Sequence, residues 1–435
     1  MNTHDILENL SARLDESQAA LTRLDAYYEG RQPAAFLNTK SRDALEGRLK
    51  ALSVNFPRLL VGAIAERLRI TGFRPFGADE ADVSVWHAWQ RCDLDTQAQL
   101  AHVDALTYGR SYVIVWVDDA GQPLVTVESA RQVITDHDPA TGAVRAAVKR
   151  WVDGNRHHAV VYEPDQITRY AGKENALSVV ETIANPLGEV PVVPIVNRSR
   201  LLDMNGSSEM TDVLDLTDSL NKVMADAMVT SEYFARPRRW VTGLEIMEDN
   251  DGNPVNPFAS EQDRVWQSEN PETKFGQFDA ARLDGYGDLS AVITQQIGAI
   301  SGLPPHYLGL NGDQPPSADA IRSAEASLVA KVQGKQRVYG RAWSRVADLI
   351  VKVRDGQNGL DYEAVWASPE TRTPGQLADA AVKLSAIGMP LEALLANPLG
   401  YTPAEIATIR SQRRAEALDN TGVDLSTFIV DEAAQ

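Results

Sequence analysis

Carboxylates give this sequence its most obvious chemical capacity. Asp212, Asp215, Asp218, Asp226 and Glu232 fall on the polar side of a helical segment over about 208–235, with Lys222 among them. Two-metal nucleases use carboxylates that cluster in space. Strung along one helix, the same residues equally describe a solvated face or a face lining an acidic channel. Asp136-His137-Asp138 joins donors that suit a divalent cation. Alternation along a strand would send His137 to the side opposite both aspartates, and Pro139-Ala140-Thr141-Gly142 turns the chain at once, so a solvated β-turn is the simpler reading. His157-His158 beside Asp153-Gly154-Asn155 reads as a hairpin end on the same grounds. Cys92, the single cysteine, lies on a helical segment with no evident activating partner. No Walker A loop, Gly-x-Gly-x-x-Gly turn, His-Glu-x-x-His or Gly-x-Ser-x-Gly occurs. Any motor working with this chain must therefore bring its own ATPase.

Cations form two groups. Arg236, Arg238 and Arg239 make a basic knot at the end of the acidic helix. They suit capping carbonyls and salt bridges, or equally a docking or DNA-facing ring. Lys331, Lys335, Arg337, Arg341 and Arg345 recur mostly four apart, the pattern of a solvated or salt-bridged helix face.

The elements that must position these residues follow from hydrophobic period. Leu7, Leu10, Leu14, Leu21 and Leu24 make one apolar stripe, and a second helix is expected over about Phe56–Leu68. Helical character continues through about Val83–Tyr108. Ser111–Val117 then reads as a buried strand, followed by strand-like runs at Leu124–Val127, Ala143–Trp151, Ala159–Tyr162, Ile167–Tyr170, Leu177–Thr182 and Val190–Val196. This predicts an antiparallel β subdomain of about 90 residues.

Helix returns with Val213, Leu216, Leu220, Val223, Met224, Ala227 and Met228, and ends before Pro237. Arg239–Val241 and Arg264–Trp266 read as short strands. A second helix is expected at about Asp288–Ser301. The longest begins after Ser317, an N-cap, and carries Gly334 and Gly340 inside it, where a kink is expected. From about Thr373 the chain is again helical.

The chain has 435 residues, which at roughly 150 per domain suggests about three structural units. A net charge of −18 argues against gripping nucleic acid by phosphate neutralisation. One cysteine allows no intrachain disulfide and fits a reducing compartment. The start, Met1-Asn2-Thr3-His4-Asp5, lacks a signal-peptide pattern, and no apolar run approaches the roughly 18–20 residues that span a bilayer. The expectation is a soluble, intracellular, multi-domain chain.

Several segments in this order resemble the portal proteins of tailed bacteriophages, of the Gp6-like kind. They are Tyr27-Tyr28-Glu29-Gly30, Asn55-Phe56-Pro57-Arg58-Leu59-Leu60-Val61, Ala65-Glu66-Arg67-Leu68-Arg69-Ile70-Thr71-Gly72-Phe73-Arg74 and Ala105-Leu106-Thr107-Tyr108-Gly109-Arg110-Ser111-Tyr112. Further on come Asp218-Ser219-Leu220-Asn221-Lys222, Ala235-Arg236-Pro237-Arg238-Arg239-Trp240-Val241-Thr242-Gly243, Ser301-Gly302-Leu303-Pro304-Pro305-His306-Tyr307-Leu308-Gly309 and Ser317-Ala318-Asp319-Ala320-Ile321. No segment is a catalytic signature; their shared order carries the resemblance.

The resemblance implies an α+β portal-type fold with a β-rich wing, two long stem helices flanking a small α/β clip, a long kinked helix and a helical C-terminal crown. By it, 1–60 would be a helical arm, 61–205 the wing, 206–236 the first stem helix, 237–284 the clip and 285–302 the second stem helix. Residues 303–317 would be a tunnel loop, 318–369 the long kinked helix with its return to the wing, and 370–435 the crown. Such proteins form a ring, usually of twelve copies, at one capsid vertex. A terminase pumps double-stranded DNA through it, head-completion or adaptor proteins dock later, and major capsid and scaffold proteins surround it.

The same likeness implies a virion component, assembled in host cytoplasm, with no membrane partner, no enzymatic activity and no cofactor or metal. It marks Asn311, Gly312, Asp313, Gln314 and Lys222 as candidate DNA-channel residues. It also marks Arg236, Arg238, Arg239, Trp240 and Trp266 as candidate clip-docking residues. Twelve chains of −18 give −216, and an acidic bore would repel phosphate and let a duplex slide. The competing readings are another virion structural protein (adaptor, scaffold or minor capsid protein) and a metal-dependent nuclease built on the carboxylates.

Overall fold

The period-2 runs between residues 110 and 196 become two antiparallel sheets. The structure is a computed structural model that describes residues 2–33, 53–78, 81–173, 176–234, 239–243, 270–277, 283–310, 317–356, 361–371 and 373–420. The chain divides into two compact units: Met1–Gln32, Asn55–Leu214 and Ile297–Gln435 in the first, Pro33–Val54 and Asp215–Gln296 in the second.

In the first unit, helix α1 (Thr3–Tyr28) opens on a reciprocal capping box between Asn2 and Asp5. Strands β2 (Arg110–Val117), β3 (Pro123–Ser129) and β9 (Val192–Val196) form one sheet in the order β3-β2-β9. Strands β4 (Val133–His137), β5 (Val144–Asp153), β6 (Arg156–Tyr162), β7 (Gln166–Lys173) and β8 (Ala176–Ala184) form a five-stranded meander.

Alternation assigns the two faces of the meander. Ala146, Val148, Ala159 and Val161 pack under Leu7, Leu10 and Leu14 of α1. Ala147 and Val160, one position out of step, face Tyr112, Ile114 and Val192 of the smaller sheet. Leu24 is only half-buried, so the working stripe of α1 is Leu7, Leu10, Leu14 and Leu21.

The expected helix over 83–108 is two: α3 (Val83–Arg91) and α4 (Leu94–Tyr108), broken at Asp93, whose φ is 52°. The helix expected at Phe56–Leu68 ends earlier, as α2 (Phe56–Ala65), with Leu68 still fully buried beyond it. A third sheet lacks the period that sequence reading relies on: β1 (Ile70–Pro75) pairs antiparallel with β12 (Tyr362–Trp366), almost 300 residues away.

The longest helix, α7 (Ala318–Asp355), has 38 residues, about 57 Å if straight. Ser317 Oγ accepts from Ala320 N at 3.2 Å, as an N-cap should. The helix runs unbroken through Gly334 and Gly340. At Gly340 a Cβ would stand 3.2 Å from the Trp366 indole nitrogen, so close packing against β12 accounts for that glycine. Leu328, Val332, Tyr339, Trp343, Val346, Leu349 and Ile350 bury the inner stripe. The C-terminal part holds α8 (Pro374–Ala386), α9 (Leu391–Ala396) and α10 (Pro403–Asn420), and α8 buries no residue.

The second unit contains most of α5 (Leu214–Phe234) and of α6 (Asp284–Ser301), and the ribbon β10 (Arg239–Thr242) with β11 (Lys274–Gln277). Thr230 Oγ1 and Tyr286 OH, 3.1 Å apart, tie the two helices. No helix among the described residues is long and apolar enough to cross a membrane.

Candidate functional site

The carboxylates on α5 do not converge. Lys222 Nζ bonds Asp226 Oδ2 one turn on, so one acidic charge is neutralised within the helix. Asp212 and Asp215 are exposed. Among the described residues, no group of three or more His, Cys, Asp or Glu side chains could hold a metal ion.

Asp136 is occupied by Arg13 at 3.2 Å and Arg145 at 2.8 Å. His137 bonds Thr135 Oγ1 and the Gly142 carbonyl at 2.9 and 3.1 Å. Asp138 accepts the Ala140 and Thr141 amides at 2.7 and 3.2 Å, which is turn chemistry. His158 stacks on Trp151 with ring centroids 5.1 Å apart. Cys92 Sγ donates to the Pro123 carbonyl at 3.5 Å.

On α6, Leu289 and Val292 are 48% and 53% exposed, and on α5 Met228 is 49% exposed. These are the outer members of the apolar stripes, left facing water by this single chain. In the ribbon, Trp240 stands opposite Gly276 and lies across it: a Cβ on Gly276 would come 2.3 Å from the indole. Gly243, at φ 77°, ends β10, and its carbonyl accepts from Asn270 Nδ2 at 3.2 Å and Thr273 Oγ1 at 3.3 Å. Sequence reading missed Lys274–Gln277, whose lone Phe275 offers no alternating pattern.

A tightly bound polar cluster lies in the first unit, where the chain leaves toward α5 and returns from α6. Glu209, mostly buried, takes Lys331 at 3.0 Å and Lys335 at 2.7 Å. Burial works to raise its pKa, but the two ammonium groups outweigh that and hold it at about 2. Lys331 also donates to the Ser301 carbonyl at 2.8 Å. Asn197 Oδ1 accepts from Lys335 at 2.6 Å and Tyr339 OH at 3.3 Å, while its Nδ2 donates to Ser207 O at 2.8 Å.

Gly109 and Gly206 cross beside this cluster, both at positive φ, and a Cβ on Gly206 would stand 2.1 Å from the Gly109 carbonyl oxygen. Of the expected solvated or salt-bridged face, Lys331 and Lys335 are the salt-bridged part and lie inward, whereas Arg337 and Arg341 are exposed. Arg345 pairs with Glu189. Asn197 and Glu209 escaped sequence reading because their partners lie more than 120 residues away.

Over residues 7–417 the sequence matches the family model described as phage portal protein, SPP1 Gp6-like. The chain belongs to this portal family. It is 33% identical to the portal protein of Mycobacterium phage D29 over 451 aligned positions, covering 97% of this chain and 90% of the relative. It is 31% identical to that of Mycobacterium phage L5, covering 98% and 91%. Among solved structures, a chain from the neck of an empty gene transfer agent particle, computed with C6 symmetry, superposes with a TM-score of 0.50. That alignment has 12% identity and covers 82% of this chain and 91% of that one, a likeness of fold.

Within this portal-family chain the expected site residues are distributed unevenly. Lys222 is on α5, half-buried. Arg239 begins β10, and Trp240 follows it with 38% exposure. Asn311, Gly312, Asp313, Gln314, Arg236, Arg238 and Trp266 lie outside the described residues, as does the strand expected at 264–266.

Proposed function

We propose that the chain assembles into a closed ring, twelve copies around one capsid vertex. Double-stranded DNA is driven through it by a separate terminase, is retained, and later leaves by the same route. In this reading α5 and α6 are the stem, 237–284 the clip, 61–205 the wing, 303–317 the tunnel loop and 370–435 the crown. The family match over almost the whole chain carries the reading. The exposed Met228, Leu289 and Val292 support it, because stem helices in a ring pack against copies of themselves. The clip ribbon, with Trp240 on its surface, is the docking platform for terminase and then for head-completion protein.

An acidic chain of −18 suits a conduit, since a duplex slides past like charge and would be held by a basic bore. The first experiment is native mass with negative-stain images of the same peak. Twelve chains of 47.6 kDa, about 570 kDa, appearing as rings with a central hole is the expected result. A monomer that cuts DNA with magnesium would overturn it.

A further inference from the structure

Leu201 and Leu202 are 86% and 96% exposed, side by side at the tip of a turn. The turn is braced rather than loose. The Arg198 guanidinium donates to the Arg200 carbonyl at 3.2 Å, to the Leu201 carbonyl, and reaches Met204 Sδ at 3.4 Å. Ser199 and Ser207 hydroxyls close its base at 3.0 Å. Two leucines held out into water on a fixed support form an apolar knob. Asp203 beside them makes no ion pair among the described residues.

The same unit carries a matching hollow. Between the two sheets, a groove of about 500 Å³ is lined by Trp116, Leu124, Trp151, His158, Val180 and Ile183, with Leu124 and Val180 exposed. Of the cations on its rim, Lys149 is held by Glu128 and Arg169 by Glu181. Arg156 makes no ion pair among the described residues.

Knob and groove lie toward opposite ends of β2. The knob follows β9 past Val196, which pairs with Arg110, whereas the groove begins at Ile114 and Trp116. Six residues of strand separate Arg110 from Trp116, roughly 20 Å. A donor surface and an acceptor surface at different places on one chain give a head-to-tail contact, the kind that closes into rings.

We propose that the Leu201-Leu202 turn of one subunit inserts into the Trp116–Trp151 groove of the next copy, with Asp203 paired to Arg156 across the contact. This rests on the ring reading above and adds to it the residues that join neighbours outside the stem. The occupant is a second copy because the knob, the hollow and one unpaired charge of each sign are all supplied by the same chain.

The test is ring assembly of the full-length chain against concentration, by native mass spectrometry, with circular dichroism to verify folding. L201S/L202S should raise the concentration for half-assembly at least tenfold while leaving the spectrum unchanged. D203R and R156D should each weaken assembly, and the double variant D203R/R156D should recover it. As a second readout, L202C/V180C should give oxidised multimers on a denaturing gel where neither single variant does. Rings from L201S/L202S at the parental concentration, or no recovery in the charge swap, would overturn the proposal and leave the ring reading intact. The absence of oxidised multimers from L202C/V180C would likewise overturn the proposal, and a monomeric parent chain that cuts DNA with magnesium would bring down both.

Discussion

Lys331 holds two points of the chain at once: its ammonium lies 3.0 Å from Glu209 Oε1 and 2.8 Å from the Ser301 carbonyl. Glu209 precedes α5 and Ser301 ends α6, so one side chain fastens both the exit and the re-entry of the segment 215–296 within the first unit. E209Q would leave two lysines without their carboxylate in a half-buried site. Its expected cost is about 2–4 kcal/mol in urea unfolding, and a cost under 0.5 kcal/mol would show that the cluster contributes nothing net.

Acid should destabilise the chain in two overlapping windows that substitution can separate. His102 is fully buried, accepts the Trp343 indole N–H at 2.8 Å, and burial lowers its pKa from 6.5 to about 3. The unfolded chain takes up that proton first, so the associated stability is complete above about pH 6.5 and falls away toward pH 3, by about 5 kcal/mol at most. Glu209 acts lower. Its depressed pKa contributes about 3 kcal/mol that is present above pH 4.5 and lost toward pH 2. H102Q, which keeps an acceptor for Trp343, should flatten the upper window, and E209Q the lower. Unfolding free energies at five pH values decide it.

Glycine substitutions should diverge in sign. G206A forces a Cβ onto the Gly109 carbonyl at φ 71° and should unfold the chain or cost more than about 3 kcal/mol. G334A has open space around it inside α7 and should stabilise by about 0.5–1 kcal/mol. Thermal melts of the two variants test both statements, and a neutral G206A would refute the crossing.

For the candidate tunnel loop, deletion of 311–314 should leave rings intact and lower packaged-DNA yield severalfold. The deletion must spare Leu308, which is buried and would meet a Cβ on Gly298 at 2.6 Å, so losing it would damage packing instead. Normal yield with intact rings would remove the loop from the mechanism.

At the ribbon, W240A should keep ring mass unchanged yet weaken capture of the terminase large subunit at least tenfold, if Trp240 is a docking anchor. G276V, which drives a side chain into the indole, should do the same. Unaltered capture by both would move the docking surface elsewhere.

Much of this protein was legible as sequence because its signals are local. The Leu7–Leu21 stripe, the strand-like runs within 111–127 and 143–196, the Ser317 cap and the end of α5 before Pro237 each depend on residues within a few positions of one another. The ordered segments from Tyr27 to Ile321 likewise pointed to the portal family through their succession along the chain.

What tertiary structure alone decided is what distant residues do together. No period announces that Ile70–Pro75 pairs with Tyr362–Trp366, or that β10 takes Lys274–Gln277 as its partner. A lysine stripe spaced by four looks the same whether water or Glu209 receives it, and the carboxylate that turns Lys331 and Lys335 inward comes more than 120 residues earlier. Periodicity determines which face of an element is apolar, whereas desolvation and charge pairing depend on what that face meets.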